Sequence, residues 1–221
     1  IMLGIFSTYK NSIYNLPGVS KDRHKLYQIV NKHQLPFQFL SDEQISLESL
    51  IHVLMQHKYQ LVWICGHGIL NAEGTSAYLL PTLANHFFYP LNLFNSHSLE
   101  FCLFSHPESL LICIFDFCHA GSMMGLNYLY FGGQFVETAG QNLYGNDKIR
   151  ISISATSAEG TTPENQNGGF LTQYLVFLLE KYKYLSLWLI DGERKIKTKN
   201  SFEIKTNMII NDKTPFIKLN E

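Results

Sequence analysis

The sequence predicts an α/β layered domain built on a mostly parallel sheet. Apolar runs of strand length alternate with segments whose apolar residues recur at helical spacing. The strand read from Leu110 to Phe117 is continuously apolar as far as Phe115, as a strand covered on both faces should be. Two of the strands end in short glycine-bearing turns, Gly66-His67-Gly68 and Cys118-His119-Ala120-Gly121. With 221 residues, 46% hydrophobic and 16% charged, the chain can bury one substantial core, so a single domain is expected.

Taken in order, Ile1 to Phe6 reads as the first strand. The turn Leu16-Pro17-Gly18 leads to Ser20, read as the N-cap of a helix to about His33 with Leu26, Ile29 and Val30 on one face. Pro36 ends it, and Phe37 to Leu40 is a short second strand. Ser46 caps a second helix with Leu47, Leu50, Ile51 and Leu54 as its buried stripe. Gln60 to Cys65 is a third strand, and Ala77 to Leu80 looks extended, although residues 71–109 otherwise lack a clean period. After the strand at Leu110, residues 123–148 read as glycine-rich loop. Ile149 to Ala155 is another strand, Gly168-Gly169 opens a helix to about Tyr182, and the tail holds strands near Glu203 to Ile210 and Phe216 to Leu219.

The formal net charge of −1 and pI near 6.8 give no whole-chain case for nucleic acid or an anionic membrane. The longest apolar run is about a third of the roughly 20 residues a membrane-spanning helix needs. The N-terminus lacks the basic region and cleavage site of a signal peptide, and a start on Ile1 predicts residues upstream. The four cysteines, Cys65, Cys102, Cys113 and Cys118, fall mostly in or beside core strands, so a disulfide framework is not expected. With no CxxC and no close His/Cys cluster, no metal is expected either. The cytoplasm is the default compartment.

In an open α/β sheet, ligands bind outside the carboxyl ends of the strands, which makes the two glycine-bearing turns neighbours in space. A thiol needs a partner that raises its thiolate fraction and later protonates a leaving amine, and an imidazole titrating near neutrality suits both tasks. His67 and Cys118 are candidates for that pair. Gly68 and Cys118 are candidate peptide N–H donors to a developing oxyanion.

The segments Leu61 to Gly68 and Leu111 to Ser122 resemble the two catalytic strands of caspases, metacaspases and their bacterial relatives. The ordered set is more specific than either motif. Leu16-Pro17-Gly18 with Asp22 comes first, then the His-Gly turn and Asp-x-Cys-His-x-Gly. Ser154-Ala155-Thr156-Ser157, Glu164, Gly169-Phe170-Leu171-Thr172 and a closing Lys213-Thr214-Pro215 follow. The 51 positions from His67 to Cys118 also match the roughly 50-residue offset in caspases. Legumain is a more distant relative, similar over Cys118 to Met124.

The resemblance implies a three-layer sandwich: a mostly parallel sheet of about six strands with helices on both faces. It also implies a large-subunit-like part over about 1–125 and a small-subunit-like part over 149–221, joined by a loop at 126–148. The activity implied is that of a cysteine endopeptidase, with protein or peptide substrates. By analogy with metacaspases, Asp22 and Asp116 line the pocket for the residue before the scissile bond, where two carboxylates favour Arg or Lys. Cys65 stands where metacaspases often carry serine. The segment Thr161-Thr162-Pro163-Glu164 would pair with extended substrate, and Glu164 would add an acidic preference.

Two departures from the family matter. Only Glu73 precedes Pro81 where calcium-dependent metacaspases carry acidic ligands, so no cofactor is expected and calcium independence is predicted. The 29 residues from His119 to Asp147 contain no Lys or Arg, which predicts a single-chain active form. The other readings are a catalytically silent peptide-binding module and a thiol transpeptidase or ligase on the same fold. A regulatory domain or partner outside this chain fits any of these, and oligomeric state is not legible.

Overall fold

The structure is a computed structural model that describes all residues except 57–58, 82–92, 105, 142, 146, 163, 198–201 and 220–221. Side chains of residues 56, 164–165 and 194–197 are likewise left aside. Fifteen strands and five α-helices are described, in the order β1 (Met2–Phe6), α1 (Pro17–Lys32), β2 (Phe37–Leu40), α2 (Leu47–Gln56), β3 (Leu61–Cys65), β4 (Gly68–Leu70), β5 (Ser76–Leu79) and β6 (Leu93–Asn95). There follow α3 (Ser96–Phe104), β7 (Leu110–Asp116), β8 (Tyr128–Phe131), β9 (Gln134–Glu137), β10 (Ile149–Ser154), β11 (Glu164–Asn165) and β12 (Gly168–Gly169). The chain closes with α4 (Phe170–Tyr182), β13 (Tyr184–Leu185), α5 (Leu187–Lys197), β14 (Glu203–Thr206) and β15 (Ile217–Lys218).

The main sheet has eight strands in the order β2-β1-β3-β7-β10-β14-β8-β9. The first five run parallel, and the last three add antiparallel. Helices cover both faces, as expected. Alternate residues of the parallel strands face opposite ways. Phe6, Trp63, Cys65, Ile112, Ile114 and Ile153 pack with α1, α4 and α5, while Leu3, Ile5, Val62, Ile64, Cys113 and Phe115 pack with α2 and α3. Trp63 is fully buried, and its indole N–H donates to Thr172 Oγ1 of α4 over 3.1 Å. Truncating a ring so placed costs about 3–5 kcal/mol.

Three sequence expectations need correction. The stretch read as loop, 126–148, contains the hairpin β8–β9, which docks on β14 and extends the sheet from about six strands to eight. Its tight turn at Gly132-Gly133, with both φ positive, has no Cβ to resist it. The α1 helix begins at Pro17, which sits in its first turn, and Ser20 lies inside the helix with its hydroxyl donating to Pro17 O. The third difference lies within the aperiodic stretch 71–109, where α3 and the small sheet β4-β5-β6 form. Ser46 does cap α2, exchanging bonds with Ser49: Ser49 N–H donates to Ser46 Oγ and Ser46 N–H to Ser49 Oγ.

Candidate active site

The parallel register sets Cys65 beside Asp116, so β3 and β7 end together and release their turns at one edge of the sheet. From there a cavity of about 260 Å³ opens, lined by Leu16, Val19, Asp22, Cys65, Gly66, His67, Asp116, Cys118, Thr162 and Gly169. Five residues singled out in the sequence, Asp22, Cys65, His67, Asp116 and Cys118, therefore meet in one space.

The two turns approach closely because Gly68 has no side chain. A methyl group there would collide with the Cys118 carbonyl oxygen and the Phe117 ring. Gly68 itself opens β4 and pairs with Tyr78. Next to the nucleophile candidate, His119 adopts a left-handed conformation (φ 60°) and turns its ring away, with Nδ1 3.1 Å from Ala158 O. Its N–H donates to Gly160 O over 2.8 Å, which holds the segment after β10 against the Cys118 turn.

His67 is half-buried, and its Nε2 lies 2.8 Å from the carbonyl oxygen of Tyr14. A carbonyl only accepts, so Nε2 carries the proton and Nδ1 is the basic nitrogen. Burial lowers the His67 pKa from its ordinary value, against the opposing pull of the Tyr14 carbonyl. The imidazole is therefore neutral at neutral pH and able to accept a proton. Cys118 is partly exposed; its Sγ accepts from Thr162 N–H over 3.4 Å and lies 3.7 Å from Thr162 O. The two residues share the cavity, and among the described residues no hydrogen bond links His67 to Cys118.

Asp116 ends β7 at 5% exposure. Its Oδ2 accepts from Thr172 N–H at the start of α4 over 2.7 Å, and its buried Oδ1 has no protein donor. Burial raises its pKa, with the Thr172 and Leu171 donors acting the other way. Asp22 is fully buried in the second turn of α1, and its Oδ2 accepts from Gly169 N–H over 2.6 Å. That tertiary bond explains its position better than a first-turn dipole effect, since no acidic residue lies in the first turn of α1. Cys65 Sγ lies 3.3 Å from Thr172 Oγ1. Glu164 falls in β11, which pairs with β12; its side chain lies outside the described set, as does Pro163.

A CHAT domain matches residues 7–100, a stretch that contains His67 and stops before Cys118. Among curated proteins, none matches the sequence. Solved structures are similar to most or all of the chain, among them the following two. Protein GSU0716 from Geobacter sulfurreducens aligns with TM-score 0.66 at 11% identity, covering 99% of this chain and 96% of that one. Caspase-1 from Spodoptera frugiperda aligns with TM-score 0.55 at 12% identity, covering 86% of this chain and 72% of that one.

The chain has a caspase-like fold. At such identities the likeness carries the fold alone, and the chemistry rests on the residues themselves. Within this caspase-like frame, sequence reasoning missed several residues that shape the cavity. Tyr9 and Tyr14 gave no signal, because they act through a loop conformation or a main-chain group, and Thr162 was read as part of a substrate-pairing segment but not as a partner of Cys118. Gly168 and Gly169 were read as a helix opening, and Gly169 also as the start of the Gly-Phe-Leu-Thr motif, but neither as a neighbour of the aspartates. In the fold they are pinned by the aspartates: a side chain at Gly168 would strike the Asp22 carboxylate, and one at Gly169 that of Asp116. No helix among the described residues is long and apolar enough to cross a membrane, and no cluster of metal-ligating side chains occurs among them.

Proposed function

We propose that this caspase-fold chain is a cysteine endopeptidase that cleaves after Arg or Lys. The observation that carries the reading is the cavity itself, which places a thiol and a neutral imidazole alongside two buried carboxylates. Asp116 Oδ1, buried without a protein donor, is an acceptor that a guanidinium or ammonium would satisfy.

In this mechanism Cys118 gives its proton to Nδ1 of His67 as its sulfur attacks the carbonyl carbon after the basic residue. The peptide N–H groups of Gly68 and Cys118 stabilise the oxyanion. Collapse breaks the C–N bond, and His67 returns its proton to the departing amine. Water, deprotonated by His67, then attacks the acyl-enzyme, releases the new carboxylate and restores the thiol. The Tyr14 carbonyl stabilises the imidazolium that forms along the way.

The form that acts is a single chain without calcium. The basic residues after the 119–147 stretch are poor cleavage sites. Arg150 is fully buried with its guanidinium on the carbonyls of His106, Glu108 and Ile149, and Lys148 Nζ donates to Phe104 O.

A peptide library assay tests the reading, using wild type, Cys118→Ala and His67→Ala, each with calcium or EGTA. Cleavage after Arg and Lys, lost in both variants, is expected. Cleavage after Asp would overturn the pocket assignment. An inert wild type would leave a peptide-binding module, a reading favoured by the engagement of Cys118 Sγ with Thr162 rather than His67.

A further inference from the structure

The segment between β1 and α1, residues 7–16, reaches across the edge of the sheet to His67, and its best-buried aromatic side chain is Tyr9, at 1% exposure. The phenol oxygen of Tyr9 accepts from His67 N–H over 2.8 Å and donates to Leu79 O over 2.7 Å. Leu79 N–H in turn donates to His67 O over 2.9 Å. Both polar groups of the His67 main chain are thereby fixed, one by the phenol and one by β5. The rings of Tyr9 and His67 also pack, with centroids 4.8 Å apart and planes inclined at 53°.

This arrangement is held in place from several sides. Tyr9 itself sits at φ 52°, a left-handed conformation that a non-glycine residue adopts only where its surroundings hold it there. At Gly66, φ is 155° and any side chain would run into the Tyr9 hydroxyl and the Tyr78 ring. The loop is fastened at its base, where Thr8 N–H and Thr8 Oγ1 donate to the Asp42 carboxylate over 2.9 and 2.7 Å and Leu16 N–H donates to Thr8 O over 2.8 Å. The same loop supplies the Tyr14 carbonyl that fixes the His67 tautomer.

We infer that Tyr9 is a positioning residue for His67, holding the imidazole through its peptide N–H on one side and its ring face on the other. Burial keeps the phenol protonated, so it remains a donor to Leu79 O throughout the working pH range. The residues 7–16 thus form one bracket that sets backbone, ring plane and tautomer of the base. The inference rests on the proposed role of His67 toward Cys118.

Tyr9→Phe tests it, because the ring stays and only the hydroxyl leaves. The expected result is a fall of about tenfold in kcat on an Arg-containing peptide with KM unchanged. The acid limb of the pH profile should also move up toward 6.5 as a looser bracket admits water to the imidazole. The pH dependence of Cys118 alkylation by iodoacetamide gives a readout independent of peptide turnover. A variant that melts earlier but keeps wild-type kcat and wild-type pH profiles would overturn the inference. If Tyr9→Phe does not fold, Asp42→Asn slackens the same loop and should shift the alkylation profile in the same direction; an unchanged profile there also counts against it. His67→Ala separates the two levels. If its alkylation profile matches wild type, the dyad itself fails; if His67→Ala shifts it and Tyr9→Phe does not, only the bracket fails.

Discussion

Gly169 lies so close to Asp116 that one methyl group on its Cα would displace the Asp116 carboxylate. Gly169 also gives its N–H to Asp22, so one residue touches both acids of the cavity. Gly169→Ala should therefore cut kcat/KM for Arg and Lys peptides by at least about tenfold while leaving iodoacetamide alkylation of Cys118 at its wild-type rate. Equal losses in both measurements would show a general collapse of the site instead of a damaged specificity pocket.

Asp116→Asn should separate function from stability. The wild-type carboxylate is buried, its pKa is raised by that burial, and one oxygen lacks a donor, so its charge weakens the fold at neutral pH. The neutral amide keeps an acceptor for Thr172 N–H. A gain of about 1 kcal/mol in unfolding free energy, read by urea titration, should accompany the loss of basic-residue cleavage.

The acid limb of activity should fall below pH 6.5. His67 must be neutral to accept the Cys118 proton, and burial lowers its pKa, so activity present at neutral pH is lost only as pH drops through that lowered value. Plotting kcat/KM against pH from 4 to 8 locates the limb; one lying above 6.5 would contradict the burial argument.

His106 controls acid stability away from the cavity. It is fully buried, and burial together with the adjacent Arg150 guanidinium pushes its pKa down to about 4. The unfolded chain therefore binds a proton that the fold refuses, and stability present above pH 6.5 is lost as pH falls toward 4. Replacing it by Gln should remove about 2 kcal/mol of that pH dependence, measured as the difference in urea unfolding free energy between pH 7 and pH 4.5.

Active enzyme should run as one uncut polypeptide through residues 119–147 and keep its rate in EGTA. Intact mass spectrometry of the active preparation checks the first point. A defined cut between His119 and Asp147, or recovery of activity only with calcium, would sink the single-chain, calcium-free reading.

The parallel strands were legible because burial on both faces writes them as continuous apolar runs, Leu61–Cys65 and the stretch from Leu110 to Phe115 above all. Residues His67 and Cys118 were legible for the same reason: strand ends in such sheets carry chemistry, and glycine marks the turns. The β8–β9 hairpin was not, since its apolar residues face a neighbouring strand 70 or more positions away and its glycines read as loop. The helix start at Pro17 was hidden behind a better-looking capping residue at Ser20.

The sequence by itself determined the layered fold, the two turns, and the residue types that meet there, because burial pattern and glycine placement are local properties. Only the tertiary structure decided how those residues are held. Tyr9 reaches His67 across 58 positions, and Asp22 reaches Gly169 across 147. Each of these contacts joins a side chain to a main-chain N–H that every residue but proline possesses, so no residue type announces the partner; they exist once the sheet has set the turns side by side.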